Sequence, residues 1–271
     1  MLGIKLDQME ALRARIAQIE KRPMLAEAAT QRQAGERALL SLPGGLLHEV
    51  FSDERRNAGA ALGFALAQAR GLLTAERPAV IFLQLAHEAQ EVGLPYGAGL
   101  AHFGFPPESL ILGRVETIVE LLWAMEEAIA CRAVAAVIAD VASHPKALDF
   151  TASRRLNLRT AGSGTSAFLM RYGADREASA AHLRWRVSPA ISSEKLFDPR
   201  APGETRWQVT IEKVLLSQER RRVGETWLLR WTKNGFDLAR QGDGNGKEPA
   251  PRTAVSGPFP AVLGDRLSQT A

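Results

Sequence analysis

Residues 48–69 read HEVFSDERRNAGAALGFALAQA. This stretch begins as a short apolar strand and ends as a helix rich in Ala, Leu and Phe, with the polar turn SDERRNAG between them. A strand that leads directly into a helix is typical of the β-α-β unit, in which consecutive strands are parallel and helices cover the sheet. The stretch therefore predicts the start of a parallel α/β domain.

The turn lies where a nucleotide-binding α/β protein has its phosphate loop. Such a loop needs glycines for close backbone approach, a lysine for the β/γ-phosphates and a Ser or Thr for magnesium. Here two acids and two arginines fill the turn, and residues 23–145 contain no lysine. We therefore predict a degenerate loop, no ATP hydrolysis and no bound cofactor. The loop residues are Ser52, Asp53, Glu54, Arg55, Arg56, Asn57 and Ala58.

The rest of the chain alternates in the same way. Apolar runs at residues 77–86, 133–141 and 166–173 indicate buried parallel strands, because both faces of such strands are covered, and residues 109–115 form another short apolar run. Between them, residues 117–131 predict a helix capped by Thr117 and Glu120, and residues 149–162 predict a helix closed by Gly162. Residues 180–190, 206–216 and 226–233 show partial period-two alternation, which predicts antiparallel strands that extend the sheet.

Three segments follow from this organisation. Residues 1–40 form an N-terminal helix and linker, residues 41–237 form the α/β domain with the degenerate loop, and residues 238–271 form a disordered Gly/Pro-rich tail. The N-terminal helix has one apolar stripe, which suits docking on a partner or on its own domain. The stripe consists of Leu6, Met9, Leu12, Ile16 and Ile19.

The net charge of +4 conceals an asymmetry between two halves. Residues 41–150 have 7 Lys/Arg and 13 Asp/Glu, a balance of −6, whereas residues 151–240 have 17 and 9, a balance of +8. Such a basic half favours an anionic partner or is simply a solvated face. Cys131 is the single cysteine and the start has no long apolar run, so we expect a cytoplasmic protein without a membrane segment.

Arginines near a tryptophan are candidate contacts for single-stranded DNA or a partner. Arg154, Arg155 and Arg159 fall on one predicted helix, and Arg184 and Arg186 fall on one strand face with Trp185 on the other. Arginine contacts phosphates, and aromatic rings stack on bases. The alternative is that Trp185 lies in the core and the arginines pair with acids. The tip Arg220–Arg222 offers the same choice between a partner contact and a solvated turn.

The spacing of the residues does not indicate a paired-carboxylate site, a metal site or a catalytic glutamate. Glu126 and Glu127 are adjacent on a helix and point to different sides. The five histidines have no metal-ligand spacing with Cys131 or with one another, so we expect no metal site. Glu88 and Glu91 follow the second strand, but without a phosphate loop they have no nucleotide to serve.

Residues 48–69 resemble the strand, phosphate loop and helix of RecA-type recombinases, with the loop residues replaced. The run AVIADV, residues 136–141, resembles the later strand of that fold, and Asp140 takes the position of its metal-assisting aspartate. Several further segments are similar to the family of inducible mutagenesis protein A (ImuA), over about residues 40–235. They are GLLHEVF, EVGLPYGAGLAHFGF, LLWAMEEAIAC, LDFTASRRLNL, SAAHLRWRVSPA and PGETRWQVTI.

The resemblance implies a RecA-like core that has lost its ATPase activity, with Asp140 as a vestige of the metal site. It also implies an accessory of damage-induced, error-prone translesion synthesis. The implied partners are an ImuB-like Y-family polymerase homologue, a DnaE-type error-prone polymerase and RecA. Two alternatives stay open, namely a working ATPase that uses Arg55, Arg56 and Asp140, and a cell-division inhibitor related to SulA. SulA-type chains lack the LDFTASRRL and SAAHLRWRV pair, which favours the first interpretation.

Overall fold

A computed structural model describes six parts of the chain, residues 40–102, 104–141, 145–195, 197–216, 219–232 and 235–239. The predicted N-terminal stripe and almost all of the predicted tail lie outside these residues, so both stay predictions. The described residues form one α/β unit around a central sheet.

Nine strands form the central sheet, in the spatial order β11-β10-β9-β6-β1-β5-β4-β2-β3. They are β1 (Leu47–Ser52), β2 (Ala79–Leu85), β3 (Leu110–Val115), β4 (Val134–Val141), β5 (Ser166–Tyr172), β6 (Leu183–Ala190), β9 (Arg206–Val214), β10 (Thr226–Thr232) and β11 (Gly235–Leu238). Two further strands, β7 (Glu194–Lys195) and β8 (Asp198–Pro202), form a separate hairpin. The six strands from β3 to β6 in this order are mutually parallel.

In the described residues, five α-helices connect the parallel strands. They are α1 (Ala58–Arg70), α2 (Ala86–Val92), α3 (Gly97–His102), α4 (Ile118–Ala130) and α5 (Phe150–Ser163). The predicted capping box of α4 is confirmed, since the backbone N–H of Glu120 donates to Oγ1 of Thr117 at 3.2 Å. Helix α5 ends at Ser163 and is capped by Gly164 rather than by the predicted Gly162, and the φ of +78° at Gly164 suits glycine. No described helix has the length and apolar character needed to cross a membrane.

The core has two parts, one on each face of the sheet. Helix α1 covers a cluster that includes Phe64, Ile138 and Trp185. Helices α4 and α5 belong to a second cluster, which includes Met125 and Leu156. A mostly parallel sheet with helices on both faces and antiparallel strands toward the C-terminus confirms the predicted fold class.

Two details differ from the sequence predictions. Strand β6 was expected to be antiparallel, but it pairs in parallel with β1 and only its other edge pairs antiparallel with β9. The chain after β5 returns to the amino end of β1, where the N–H of His182 donates to the carbonyl of Leu47 at 2.8 Å. In addition, β11 ends at Leu238, so the predicted domain boundary at residue 237 falls inside a strand.

Candidate functional site

The degenerate loop lies at the carboxyl end of β1, in the middle of the sheet. Ligands of open parallel sheets bind at this edge of the strands. After Ser52 the chain makes a short 3-10 turn, Arg55–Asn57, and enters α1 at Ala58. The side-chain hydroxyl of Ser52 donates to the carbonyl of Glu54 at 3.3 Å, so it is used within the loop itself.

All four charged residues of the loop have partners inside the chain. Asp53 accepts from Arg176 at 2.8 Å and lies 3.9 Å from Arg186. Arg56 pairs with Glu54. Arg55 lies 3.5 Å from Glu91 at the end of α2. The loop therefore has ion pairs where a phosphate loop has a lysine and free backbone N–H groups.

Four buried polar side chains lie near the loop, at or just after the carboxyl ends of β2, β4 and β5, and we call them the polar quartet. Its members are Gln84, Glu88, Asp140 and Tyr172. Tyr172 donates to Oδ1 of Asp140 at 2.9 Å, and the amide of Gln84 donates to Oδ2 at 3.3 Å. Burial raises the pKa of Asp140, while the hydrogen bond from Tyr172, the nearby Arg55 charge and the hydrogen bond from Gln84 oppose that rise.

The ion pair of Arg55 and Glu91 crosses the edge of the sheet above the quartet. Arg55 follows β1 and Glu91 follows β2, and β5 and β4 lie between these two strands. The pair consequently spans the strand ends that carry Tyr172 and Asp140. Since the charge of Arg55 also lowers the pKa of both of these groups, it acts as a local cation beside the buried carboxyl group.

A second group of charges, the ionic cluster, ties β1 to β5, β6 and β9. Its members are Glu49, Asp53, Arg171, Arg176, Glu177, Arg184, Arg186 and Glu212. Glu49 is 1% exposed and accepts from Arg184 at 2.8 Å. The guanidinium groups of Arg171, Arg176 and Arg184 lie 5.5, 4.2 and 5.4 Å from the ring centre of Phe51. These contacts fix the strand from which the loop emerges.

Of the two interpretations of Trp185, contact with DNA bases and a place in the core, the structure supports the core. Trp185 is 0% exposed, packs near Phe64 and Trp227, and donates its indole N–H to Nδ1 of His48 at 3.2 Å. A ring without exposed surface cannot stack on a base, so Trp185 is a core residue. Period-two alternation then places Arg184 and Arg186 on the opposite face of the sheet, as predicted.

The other candidate arginines are paired to different degrees. Arg155 and Arg159 of α5 both contact Glu126 of α4, at 3.2 and 3.0 Å, and about half of each arginine side chain is exposed. Arg154 is exposed on the same helix. Arg184 is largely buried against Glu49, whereas 47% of the Arg186 side chain is exposed. The structure thus brings Arg155 and Arg159 together, but leaves their contact with DNA as a prediction.

One arginine of the turn Arg220–Arg222 has structural contacts. The turn Arg220–Arg222 connects β9 to β10 as predicted, but Arg222 is buried between Glu219 and Glu225. In the part of the chain that the structure describes, no three His, Cys, Asp or Glu side chains are grouped to hold a metal ion.

Sequence reasoning missed Tyr172, Gln84 and Arg176. Tyr172 and Gln84 looked like ordinary members of apolar strands, and their position at the carboxyl ends of β5 and β2 was the available signal. Arg176 follows β5 in the segment GADREAS and had no local signal, because its partner Asp53 is 123 residues away.

Fold and site together define the class of this protein. It is an α/β protein with a mostly parallel sheet, whose central strand–turn–helix junction has its charged side chains in ion pairs within the chain. The protein ImuA from two strains of Caulobacter vibrioides is 33% identical to this chain over 186 residues, which cover 64% of this chain and 71% of the relative. No family model matches the chain. On the strength of the Caulobacter relatives, the chain belongs to the ImuA family.

Proposed function

We propose that this protein is a non-catalytic accessory of damage-induced, error-prone translesion DNA synthesis. In this proposal it joins an ImuB-like Y-family polymerase homologue, a DnaE-type polymerase and RecA, and it acts in the cytoplasm as part of the SOS response. Membership of the ImuA family supports the involvement in mutagenesis. The basic half of the chain supports an anionic ligand, for which single-stranded DNA is our candidate.

The observation that carries the non-catalytic part of the proposal is the internal pairing of the loop charges. A triphosphate would have to displace Arg176 from Asp53 and Glu91 from Arg55, and it would meet two acids in the same turn. The loop offers no lysine in return. ATP binding would therefore break internal ion pairs and bring like charges together, and both effects lower the affinity for ATP.

Calorimetric titration with Mg-ATP tests this proposal directly. We expect no specific binding at millimolar nucleotide, with a RecA preparation in the same buffer as positive control. A dissociation constant in the low micromolar range that is lost in the Asp140→Ala variant would instead support the alternative, a working ATPase.

A genetic experiment tests the role in mutagenesis. A strain that lacks the gene should lose damage-induced mutations, and the wild-type chain should restore them. The Asp140→Asn variant should restore them equally, because the aspartate has no metal to hold in this proposal. Loss of mutagenesis with Asp140→Asn, at a normal level of folded protein, would contradict the non-catalytic assignment.

A further inference from the structure

One edge of the sheet has an exposed apolar surface, which we call the β3/α4 patch. It consists of Ile111, Val119 and Trp123, whose exposed fractions are 52, 65 and 66%. Val119 and Trp123 are four residues apart and share one face of α4. Helix α4 contacts β3, and strand alternation places Ile111 on the side of the sheet that α4 covers. The patch therefore continues from the helix to the edge strand.

This edge of the sheet is also open along its backbone. Within the described sheet β3 pairs only with β2, so its outer N–H and C=O groups have no strand partner there. An apolar edge strand that stays exposed is a site of unwanted pairing, and proteins usually cover such an edge. We therefore expect an apolar segment or partner to pack on the patch.

The chain has a segment that matches the patch in polarity and in charge. Residues 1–22 contain the apolar stripe of Leu6, Met9, Leu12, Ile16 and Ile19. The same residues have five Lys/Arg and three Asp/Glu, a balance of +2, whereas residues 107–127 around the patch have one Arg and five Glu, a balance of −4. Opposite charges around an apolar centre favour docking of the N-terminal segment on the β3/α4 patch.

The connection between the segment and the domain is long enough for docking within one chain. Residues 23–39 are 17 residues, and a chain of that length spans up to about 60 Å when extended. A domain of roughly 200 residues has a radius of gyration of about 16 Å. A short tether also gives an effective concentration of about millimolar, which exceeds that of a second copy in dilute solution.

We propose that the N-terminal segment, residues 6–19, docks as a helix on the β3/α4 patch of its own chain. Docking buries Trp123 and Val119 under the apolar stripe and covers the outer edge of β3. The N-terminal segment then shields the apolar β3/α4 patch from solvent and from other molecules. This inference is independent of the proposed role in mutagenesis, because it concerns only contacts within the chain.

Tryptophan fluorescence of the full chain tests the docking. The variant Leu12→Asp/Ile16→Asp places two charges in the stripe, and the matched control Ala14→Asp/Gln18→Asp places the same charges on the opposite face of the predicted helix. We expect acrylamide quenching of Trp123, obtained by difference from Trp123→Phe versions of each chain, to increase in the first variant and to stay at the wild-type level in the control. Hydrogen exchange of β3 should increase in the same variant only. Equal quenching and exchange in all three chains would overturn the proposal.

Light scattering separates docking within a chain from docking between chains. We expect a monomer for the wild type at low and high concentration, with Trp123 protected in both. A concentration-dependent dimer that the stripe variant abolishes would show that a second copy is the occupant, and would overturn the proposal as stated. Deletion of residues 1–22 should leave a folded domain with exposed Trp123, whereas an unfolded product would show that the segment belongs to the core.

Discussion

The hydroxyl of Tyr172 donates a hydrogen bond of 2.9 Å to Oδ1 of Asp140 and thereby joins the ends of the neighbouring strands β5 and β4. Asp140 is 4% exposed, and its carboxyl group accepts hydrogen bonds from a phenol and an amide. The aspartate that resembles a metal-assisting residue is therefore part of a hydrogen-bonded structural element.

Removal of that phenol should destabilise the domain. We expect Tyr172→Phe to lower the free energy of unfolding by about 1–3 kcal/mol near pH 8, because a buried carboxylate loses a donor. The loss should be smaller near pH 5. The hydrogen bond from Tyr172 lowers the pKa of Asp140, so without it the carboxyl group is neutral over a wider range of pH. Urea unfolding measures both values, and Tyr96→Phe is the control because Tyr96 is 77% exposed. An equal effect of the two substitutions would contradict this account.

Arg176 and Arg186 share two acidic partners in the ionic cluster, but we expect their loss to lower the free energy of unfolding by different amounts. Arg176 contacts Asp53 and Glu212 at 2.8 and 2.7 Å and is 19% exposed, so Arg176→Met leaves two acids without their main cation. We expect a loss of about 2–4 kcal/mol in the free energy of unfolding. Arg186 lies 3.9 Å from both acids and is 47% exposed, so Arg186→Met should cost less than about 1 kcal/mol. A loss below about 1 kcal/mol for Arg176→Met as well would show that the ion pairs of Arg176 contribute little to stability.

The salt dependence of DNA binding tests the arginines of α5. If Arg155 and Arg159 each contact one phosphate, Arg155→Ala/Arg159→Ala should flatten the slope of log K against log salt by about 1.4 for single strands. The fold should survive, since these half-exposed ion pairs contribute little stability. Filter binding at several salt concentrations gives the slope. As control, Arg114→Ala removes an exposed arginine of β3 and should leave the slope unchanged. An unchanged slope in the α5 variant would mean that these arginines serve only Glu126 and solvent.

Two buried histidines predict how stability depends on pH. Burial, together with the charge of Lys213, lowers the pKa of His182 to about 4, and burial beside His182 lowers the pKa of His48 to about 3. Both are neutral in the fold but bind protons below pH 6.5 once unfolded, so stability is present above pH 6.5 and is lost as pH falls toward 4. Each histidine contributes a slope of about 1.4 kcal/mol per pH unit over that range.

The variant His182→Asn isolates one of the two histidines. Asparagine keeps an acceptor for the N–H of Leu47, which donates to Nδ1 of His182 at 3.0 Å. Urea unfolding between pH 8 and pH 4.5 should then show a shallower fall in stability than in the wild type, by about one proton. The raised pKa of Asp140 works in the opposite sense in both chains and does not affect the comparison. An identical pH dependence would contradict a neutral, buried His182.

The local features of this fold follow from the sequence alone. The apolar runs at residues 77–86 and 133–141 are strands, and Thr117 with Glu120 caps α4, because strand burial and helix capping depend on residues that are neighbours in the chain. The absence of lysine and of a glycine cradle in the loop is likewise a property of the sequence. These features sufficed for the fold class and for the prediction of a degenerate loop.

Tertiary structure decided which side chains meet. Alternation along β6 separates Trp185 from Arg184 and Arg186, but only the position of β6 between β1 and β9 shows that Trp185 faces the core. The pairing of Asp53 with Arg176 and of Tyr172 with Asp140 depends on the order of β1, β5 and β4 in the sheet. Residues 123 and 32 positions apart come into contact there, and periodicity, which records only local neighbours, contains no signal of such contacts.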